Sequence, residues 1–503
     1  MKFYHLSDLH YCSKSTFDGD AWAHPTHANQ VNFRMSEEIV RQTFDKLLQD
    51  DEIDTYLITG DMCNVSDPES RNELIALFRE IEAKGKKIYC FPASHDISNP
   101  GWGFRFDKDG NRVPNMNTTP EEEVEQAYLD FGYNKAIAQY PKTYSYVVQL
   151  DDNLRYIALR PEYGDMATYY DMFFSPEYMK WIEEVATKAK EDGCMMLAGV
   201  HYPIVTPSLV YTLIGGDNCF INDKEKIVDK LSSLGINLLL SGHTHINDIA
   251  RVKTSNGATF NQITTSSLSG YPPLYRKINL DVEKQIVDIK TIDVGVITSP
   301  LGSFDMMARN KENLTNYVHY LLDEGEKDPT IFSLIGGVME EYTTTVKRLS
   351  WVFKRIIKFI NNFTFGQMGD FLQKESGLMP EDYAEIHDKK ALSLLIEVGL
   401  SIFDGEQKVP LDSIEHKLLM ASGAAIDSML SKIKVDIKSV LNGNSVSTML
   451  ASALYDEEPT NYDTIIDLNN PYPKREYHGT YISKKGIGSL LKIICYILFA
   501  KYK

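Results

Sequence analysis

Phe3-Tyr4-His5-Leu6-Ser7-Asp8-Leu9-His10 decides how this 503-residue chain is read. Phe3–Leu6 is an apolar, aromatic run too short for a helix and suited to a strand, and it passes directly into Asp8-Leu9-His10. The same arrangement then recurs. Tyr56–Thr59 ends in Gly60-Asp61, and Ile88–Phe91 leads to Ser94-His95-Asp96. Met195–Val200 ends in His201, and Ile236–Leu240 leads to Gly242-His243-Thr244-His245. A single Asp-x-His is common in surface turns, but successive strand ends that all finish in carboxylates and imidazoles are hard to reach by chance. Open α/β sheets gather the carboxyl ends of their strands around one crevice, so these side chains can converge.

Helix-period segments separate the strands. Ile39, Val40, Phe44, Leu47 and Leu48 recur at three- and four-residue steps, as do Leu74, Ile75, Phe78 and Ile81, and again Ile227, Val228, Leu231 and Leu234. Tyr144–Leu150 and Leu154–Leu159 flank Asp151-Asp152-Asn153 as a hairpin, and Ile278–Leu280 with Gln285–Ile292 forms a second. The pattern predicts a layered α/β domain of mixed sheets over residues 1–297. Residues 101–120 and 162–179, rich in aromatic side chains but poor in periodic signal, are expected to be long surface loops.

Near Gly295–Ser303 the strand rhythm stops. Val346, Leu349, Phe353, Ile356, Ile357 and Ile360 make one helical stripe. Leu411, Ile414, Leu418, Leu419, Ile426, Met429, Leu430 and Ile433 make another, so residues 305–470 are expected to be an all-α domain. Gly295–Ser303 is short for a free tether, which predicts that the helices pack on the first domain. Residues 471–503 differ again, with seven basic residues against Glu476 and an apolar stretch, Ile487–Phe499, too short to span a bilayer. A docked terminal helix is expected there; a membrane surface is the other partner that residues 484–503 could meet.

Composition narrows the function. Hydrophobic residues at 43% and charged residues at 24% support sizeable cores and argue against wholesale disorder. A formal net charge of -18 disfavours nucleic acid as the main partner and suits a small ligand. Six scattered cysteines without a CxxC are expected to be free thiols, and a strand starting at residue 3 leaves no room for a signal peptide, so the cytoplasm is the expected compartment.

Carboxylates and imidazoles without thiolates select divalent ions such as manganese, iron or zinc. Two such ions a few ångström apart can clamp the attacking and leaving oxygens of a displacement at phosphorus, with a carboxylate as the natural bridge. Taken together, Asp8-x-His10, Gly60-Asp61, His95-Asp96, His201 and Gly242-His243-x-His245 resemble the signature of the calcineurin-like metallophosphoesterases. Ser7-Asp8-Leu9-His10, His95-Asp96-Ile97-Ser98-Asn99-Pro100 and Phe131-Gly132-Tyr133, with a helical extension, are most similar to bacterial class III cyclic nucleotide phosphodiesterases.

The resemblance implies an α-β-β-α sandwich of mixed sheets and two divalent metal ions. It implies that Asp8, His10 and His245 hold the first ion, that Asp61 bridges, and that His201 and His243 hold the second. A metal-bound hydroxide would attack a small phosphoester. His95 would stabilise or protonate the leaving oxygen, and Asp96 would orient its ring. The family places Asn where this chain has Ser94 and Gly where it has Ala93. A serine hydroxyl reaches less far than an asparagine carbonyl, so the second ion is expected to be held more weakly. Two other readings remain open: a degenerate member acting as a nucleotide sensor or scaffold, and a nuclease using the basic tail.

Overall fold

The computed structural model describes residues 1–24, 29–64, 66–97, 103–115, 117, 120–165, 170–208, 220–331, 347, 350–406, 409–432, 444–454 and 460–470. The basic tail and its expected terminal helix, residues 471–503, lie outside them.

Side-chain alternation along the first strand, Lys2–Leu6, sets the layering. Tyr4 and Leu6 pack outward beneath the helices Ser36–Leu47 and Pro68–Ala83, while Phe3 joins the core between two sheets. The first sheet has six strands, in the order Thr464–Asp467, Ile286–Asp293, Leu274–Asp281, Lys2–Leu6, Thr55–Ile58, Lys87–Cys90. Its last three strands run parallel, and Leu274–Asp281 pairs antiparallel to Lys2–Leu6. The second sheet has seven, in the order Asp248–Lys253, Thr259–Thr264, Leu238–Ser241, Met195–Val200, Leu154–Leu159, Ser145–Asp151, Ala138–Tyr140. Its four central strands are parallel.

Leu57, Tyr156, Leu197, Leu240 and Ile278 fill the space between the sheets. Ile157, Ala198 and Leu239 face the opposite way, against the helices Pro176–Glu191 and Lys224–Ser233. The result is the α-β-β-α sandwich expected from the sequence. Local signals agree with it: Asp67 accepts from the Ser70 N–H with Pro68 at the first helical position, and Ser175 does the same for Tyr178.

Four local expectations change. Residues 101–120 are not plain loop, because Phe104–Phe106 and Arg112–Pro114 pair as a hairpin whose Phe106 stacks on Phe17 at 4.3 Å. Within 162–179, Glu162–Asp165 pairs with Tyr170–Phe173, and a helix starts at Pro176. The Gly295–Ser303 junction is a hairpin too, Val296–Ser299 with Gly302–Asp305, and Asp305 caps the helix Met306–Lys327. Leu411, placed in the second helical stripe, lies before the helix Ile414–Lys432 and is exposed.

The helical region packs on the sandwich from both ends. Met306 is buried in the core beneath the first sheet's helices. In return Ile246, from the first domain, sits in the helical core with Phe365, Leu372, Leu418 and Ala425. Residues 305–470 also contain the strand Thr464–Asp467, which extends the first sheet by pairing antiparallel with Ile286–Ile289. Four residues flanked by turns carry too little periodicity to announce such a strand.

Candidate metal centre

The strand ends meet where the two sheets approach each other. Main-chain bonds zip the first two ligand loops together: Asp8 N–H donates to the Gly60 carbonyl at 3.1 Å and His10 N–H to the Asp61 carbonyl at 3.0 Å. Gly242 N–H donates to the His201 carbonyl at 3.0 Å, tying the fourth and fifth loops. Glycine is required where these loops cross. Gly60 has φ +90°, and a Cβ there would lie 2.7 Å from the Ala93 Cβ and 2.8 Å from His201 Nδ1. A Cβ on Gly242 would collide with Ser7 and Asp8.

The ligand residues themselves occupy uncommon backbone. Asp8, His10, Asp61, His243 and His245 all have positive φ, between 45° and 68°. Non-glycine residues adopt that region at a cost, and such residues cluster where the surrounding structure needs a side chain aimed in one direction.

Three groups of side chains each bring ligand atoms within 4.8 Å of one another: Asp8, His10 and His245; His10, Asp61 and His95; and Asp61, His201 and His243. In the first group His245 Nε2 lies 3.2 Å from Asp8 Oδ1 and 2.9 Å from His10 Nε2. Asp8 Oδ2 is held by the Ser7 hydroxyl at 2.6 Å and the His243 N–H at 2.9 Å, which leaves Oδ1 facing the imidazoles. In the third group Asp61 Oδ2 is 3.0 Å from His201 Nε2. His201 Nδ1 donates to the Thr59 carbonyl at 2.7 Å, which fixes the ring with Nε2 turned toward the carboxylate.

These groups fit cations. Asp8 Oδ1 and His243 Nε2 are buried without a hydrogen-bond partner among the described residues. Acceptor atoms crowded at such distances repel unless positive charge lies between them. The electrostatics agree. Burial works against charge at Asp8 and Asp61, yet His201 with His245 holds the Asp8 carboxyl well below its ordinary range, and His201 with His95 does so for Asp61. Burial opposes a proton on His201 as well, but Asp61 and Asp8 push it up to about 9. His243 moves down to about 3 through burial and its neighbour His201. The field of the two carboxylates therefore demands positive charge at the spot where the nitrogens converge.

Ser94, His95 and Asp96 differ from the buried ligands. His95 is exposed, its ring packs edgewise on His10 at 4.7 Å, and its N–H donates to Asp61 Oδ1 at 2.9 Å. Asp96 does not take the orienting role expected of it. Its buried carboxylate accepts from the N–H groups of Cys63 at 2.8 Å, Ala93 at 2.9 Å and Met62 at 3.3 Å. It clamps the Asp61 loop to the His95 loop, and burial with the nearby Asp61 pushes its carboxyl up to about 7. Ser94 is half-buried and lies beside the Tyr202 phenol. The Tyr202 ring in turn walls the site, 4.7 Å from His243 and 4.9 Å from His201.

The sequence reading overlooked the residues that aim the ligands. Ser7 and Thr59 sit beside Asp8 and Gly60-Asp61, and that adjacency was the available signal. Asn247, two residues past His245, is fully buried.

Among curated proteins, none matches the chain in sequence. Solved structures similar to it include a dimetal phosphatase from Danio rerio at 14% identity, covering 61% of this chain and 98% of that one with a TM-score of 0.42. The purple acid phosphatase PPD1 from yellow lupin (Lupinus luteus) seeds matches at 11% identity over 61% of this chain and 52% of its own, TM-score 0.37. A 5'-nucleotidase precursor from Thermus thermophilus matches at 11% over 64% and 59%, TM-score 0.32. The chain thus spans only 52% and 59% of the last two. Likeness at this level says nothing of substrate. The match to a family is more direct, because residues 1–247 fit the calcineurin-like phosphoesterases and contain every ligand residue described above. Residues 1–247 thus match the calcineurin-like phosphoesterases, and the donor set gathered there supports metal-dependent phosphoester hydrolysis.

Proposed function

We propose that the centre binds two divalent cations, manganese, iron or zinc, and hydrolyses a phosphodiester bond in a small substrate, with cyclic nucleotides as the substrate class. The observation that supports two sites rather than one is the position of Asp61. It belongs to a group with His10 and His95 and also to a group with His201 and His243. Asp8, His10, His245 and Asp61 would hold one cation; Asp61, His201, His243 and Ser94 would hold the other. When bound, the pair supplies Lewis acidity toward the phosphoryl oxygens.

The chain's own residues prepare that chemistry. Ser7 and the His243 N–H fix Asp8, the Thr59 carbonyl fixes the His201 ring, and Asp96 locks the Asp61 loop. His95 is the exposed imidazole of the cluster and carries a proton to the leaving oxygen. A net charge of -18 favours a substrate bearing one phosphate over a polyanion. The Ser94 hydroxyl reaches less far than an asparagine carbonyl, so the second ion is held less tightly.

Metal analysis of the purified chain followed by a manganese-supplemented screen of phosphomonoesters, phosphodiesters and cyclic nucleotides tests the reading. Turnover of phosphodiesters, lost in Asp61→Ala, is the expected result. Turnover confined to monoesters would remove the diester assignment, and no turnover at saturating metal would remove the enzymatic one.

A further inference from the structure

Every ligand of the first metal site lies within residues 1–247, but the loop that carries His245 is also held by residues beyond them. Asn461, buried at 1% exposure, stands at the start of the returning segment and touches the sandwich and the helical region together. Its side-chain Oδ1 accepts from the Ile249 N–H at 2.7 Å, and its Nδ2 donates to the Gly405 carbonyl at 2.7 Å. Its main-chain carbonyl accepts from Asn247 Nδ2 at 3.2 Å and Arg276 Nη1 at 2.9 Å.

Two buried routes lead from there to the same ligand group. The first is short. Asn247, which follows His245 by two residues, donates through its N–H to the Phe403 carbonyl at 2.8 Å and through Nδ2 to the Asp404 carbonyl at 3.1 Å. Arg276 Nη2 donates to Asn247 Oδ1 at 2.7 Å. Ile246, between His245 and Asn247, is a fully buried member of the helical core. The Asn247 Nδ2 group thus holds the His243–Asn247 loop against the C-terminal region, while its Oδ1 ties the loop to Arg276 of the first sheet.

The second route is a chain of donors. Arg276 Nε donates to Thr265 Oγ1 at 3.2 Å, and Thr265 Oγ1 lies 2.8 Å from His5 Nδ1. His5 Nε2 is 3.0 Å from Thr59 Oγ1, which donates to Ser7 Oγ at 2.9 Å. Ser7 Oγ donates to Asp8 Oδ2 at 2.6 Å. The hydrogens can be assigned. Thr59 gives its proton to Ser7, so it accepts from His5 Nε2–H, and a neutral His5 then accepts from Thr265 at Nδ1. All donors point from Arg276 toward Asp8. Arg276, His5, Thr265, Thr59 and Ser7 are each fully buried, where such networks define a single geometry.

We propose that Asn461 is a positioning residue for the Asp8–His10–His245 site, and that docking of the segment beginning at Asn461 sets the affinity of that site for its cation. The proposal rests on the two-cation reading above. It makes metal occupancy responsive to how the helical region is seated, because Phe403–Gly405 and Asn461 grip one ligand loop together.

The test is Mn²⁺ binding to the full chain by calorimetry and electron paramagnetic resonance, in wild type, Asn461→Ala and Ile465→Ala. Ile465 is an exposed residue of the strand Thr464–Asp467, which follows Asn461. Loss of a group bonded directly to a metal ligand weakens metal binding about 10–100-fold, and Asn461, which acts through Asn247 and Arg276, is expected at the lower end of that range. Asn461→Ala is expected to do so for the tighter of two Mn²⁺ ions and to change its spectrum, with Ile465→Ala unchanged. Should Asn461→Ala not fold, Asn461→Ser, which keeps a short acceptor, carries the same comparison. Unaltered binding constants and spectra in a folded Asn461 variant, with only a lower melting temperature, would overturn the proposal. Wild type that binds no Mn²⁺ removes the two-cation reading and this one with it. Wild type that binds two ions but cleaves no phosphoester, with the tighter ion weakened in the Asn461 variant, removes the enzymatic reading and sustains this one.

Discussion

His201 Nδ1 and the main-chain carbonyl of Thr59 lie 2.7 Å apart, joining a strand end of one sheet to a strand end of the other. The bond leaves Nε2 free to act as a ligand atom toward Asp61. His201→Ala is therefore expected to lower metal content from two ions to one per chain, with the Asp8–His10–His245 ion retained. Elemental analysis after dialysis checks this, and two ions retained would show that His201 is not a ligand.

Asp61 serves both groups, and its Oδ1 also accepts from the His95 N–H at 2.9 Å. Asp61→Ala should release both ions and lower turnover by orders of magnitude. A variant that keeps two equivalents of metal would contradict the bridging assignment.

His95 is exposed and packs on His10 without a place in the Asp8 or His201 groups. His95→Ala should keep its metal and slow hydrolysis by about 10²–10⁴-fold. Substrates with good leaving groups need less protonation, so p-nitrophenyl esters should lose less. An equal loss across leaving groups would count against proton transfer by His95.

Ser94 is half-buried beside His95 in the third ligand loop. Activity of wild type should rise steeply as manganese is added, whereas Ser94→Asn should saturate at lower metal because an asparagine carbonyl reaches farther. Superimposed titration curves would show that Ser94 is already an adequate ligand or none at all.

His5 offers a pH test away from the metal. Burial and the nearby Arg276 push it down to about 3 from an ordinary 6.5. Between those values the unfolded chain takes up a proton that the folded chain refuses, so stability falls as pH drops from about 6.5 toward 3. The slope for one such group is about 1.4 kcal/mol per pH unit. In denaturant unfolding of the metal-free proteins from pH 7 to pH 4, wild type should be steeper than His5→Gln by about this slope. Parallel profiles would mean that His5 protonates readily in the folded chain.

The ligand positions were legible because they repeat one local arrangement, a short apolar run ending in Asp or His. The two hairpins beyond them were legible from turn residues between alternating runs. Residues 104–114 could have been read the same way, since Phe104-Arg105-Phe106 alternates and Asp109-Gly110-Asn111 supplies a turn. Asp96 was misread because adjacency to His95 suggested a contact, whereas its side chain turns to backbone donors on another loop. Nothing local marks the positive φ of Asp8 or His243, which arises from neighbouring loops. Pairing between Thr464–Asp467 and Ile286–Ile289 joins segments so far apart in sequence that no periodicity within either names its partner.

That pairing has a consequence in time. Lys290 and Asp463, an ion pair beside this strand contact, are 173 residues apart. At about 5–20 residues per second a ribosome needs on the order of 10–35 s to make the intervening chain. Through that interval the Ile286–Asp293 edge has no neighbour on its outer side and Arg276 lacks the Asn461 carbonyl, although every metal ligand has already been synthesised. The nascent protein therefore carries a complete set of ligands long before it carries the group that aligns them, and its open sheet edge is then the part most exposed to pairing with another chain.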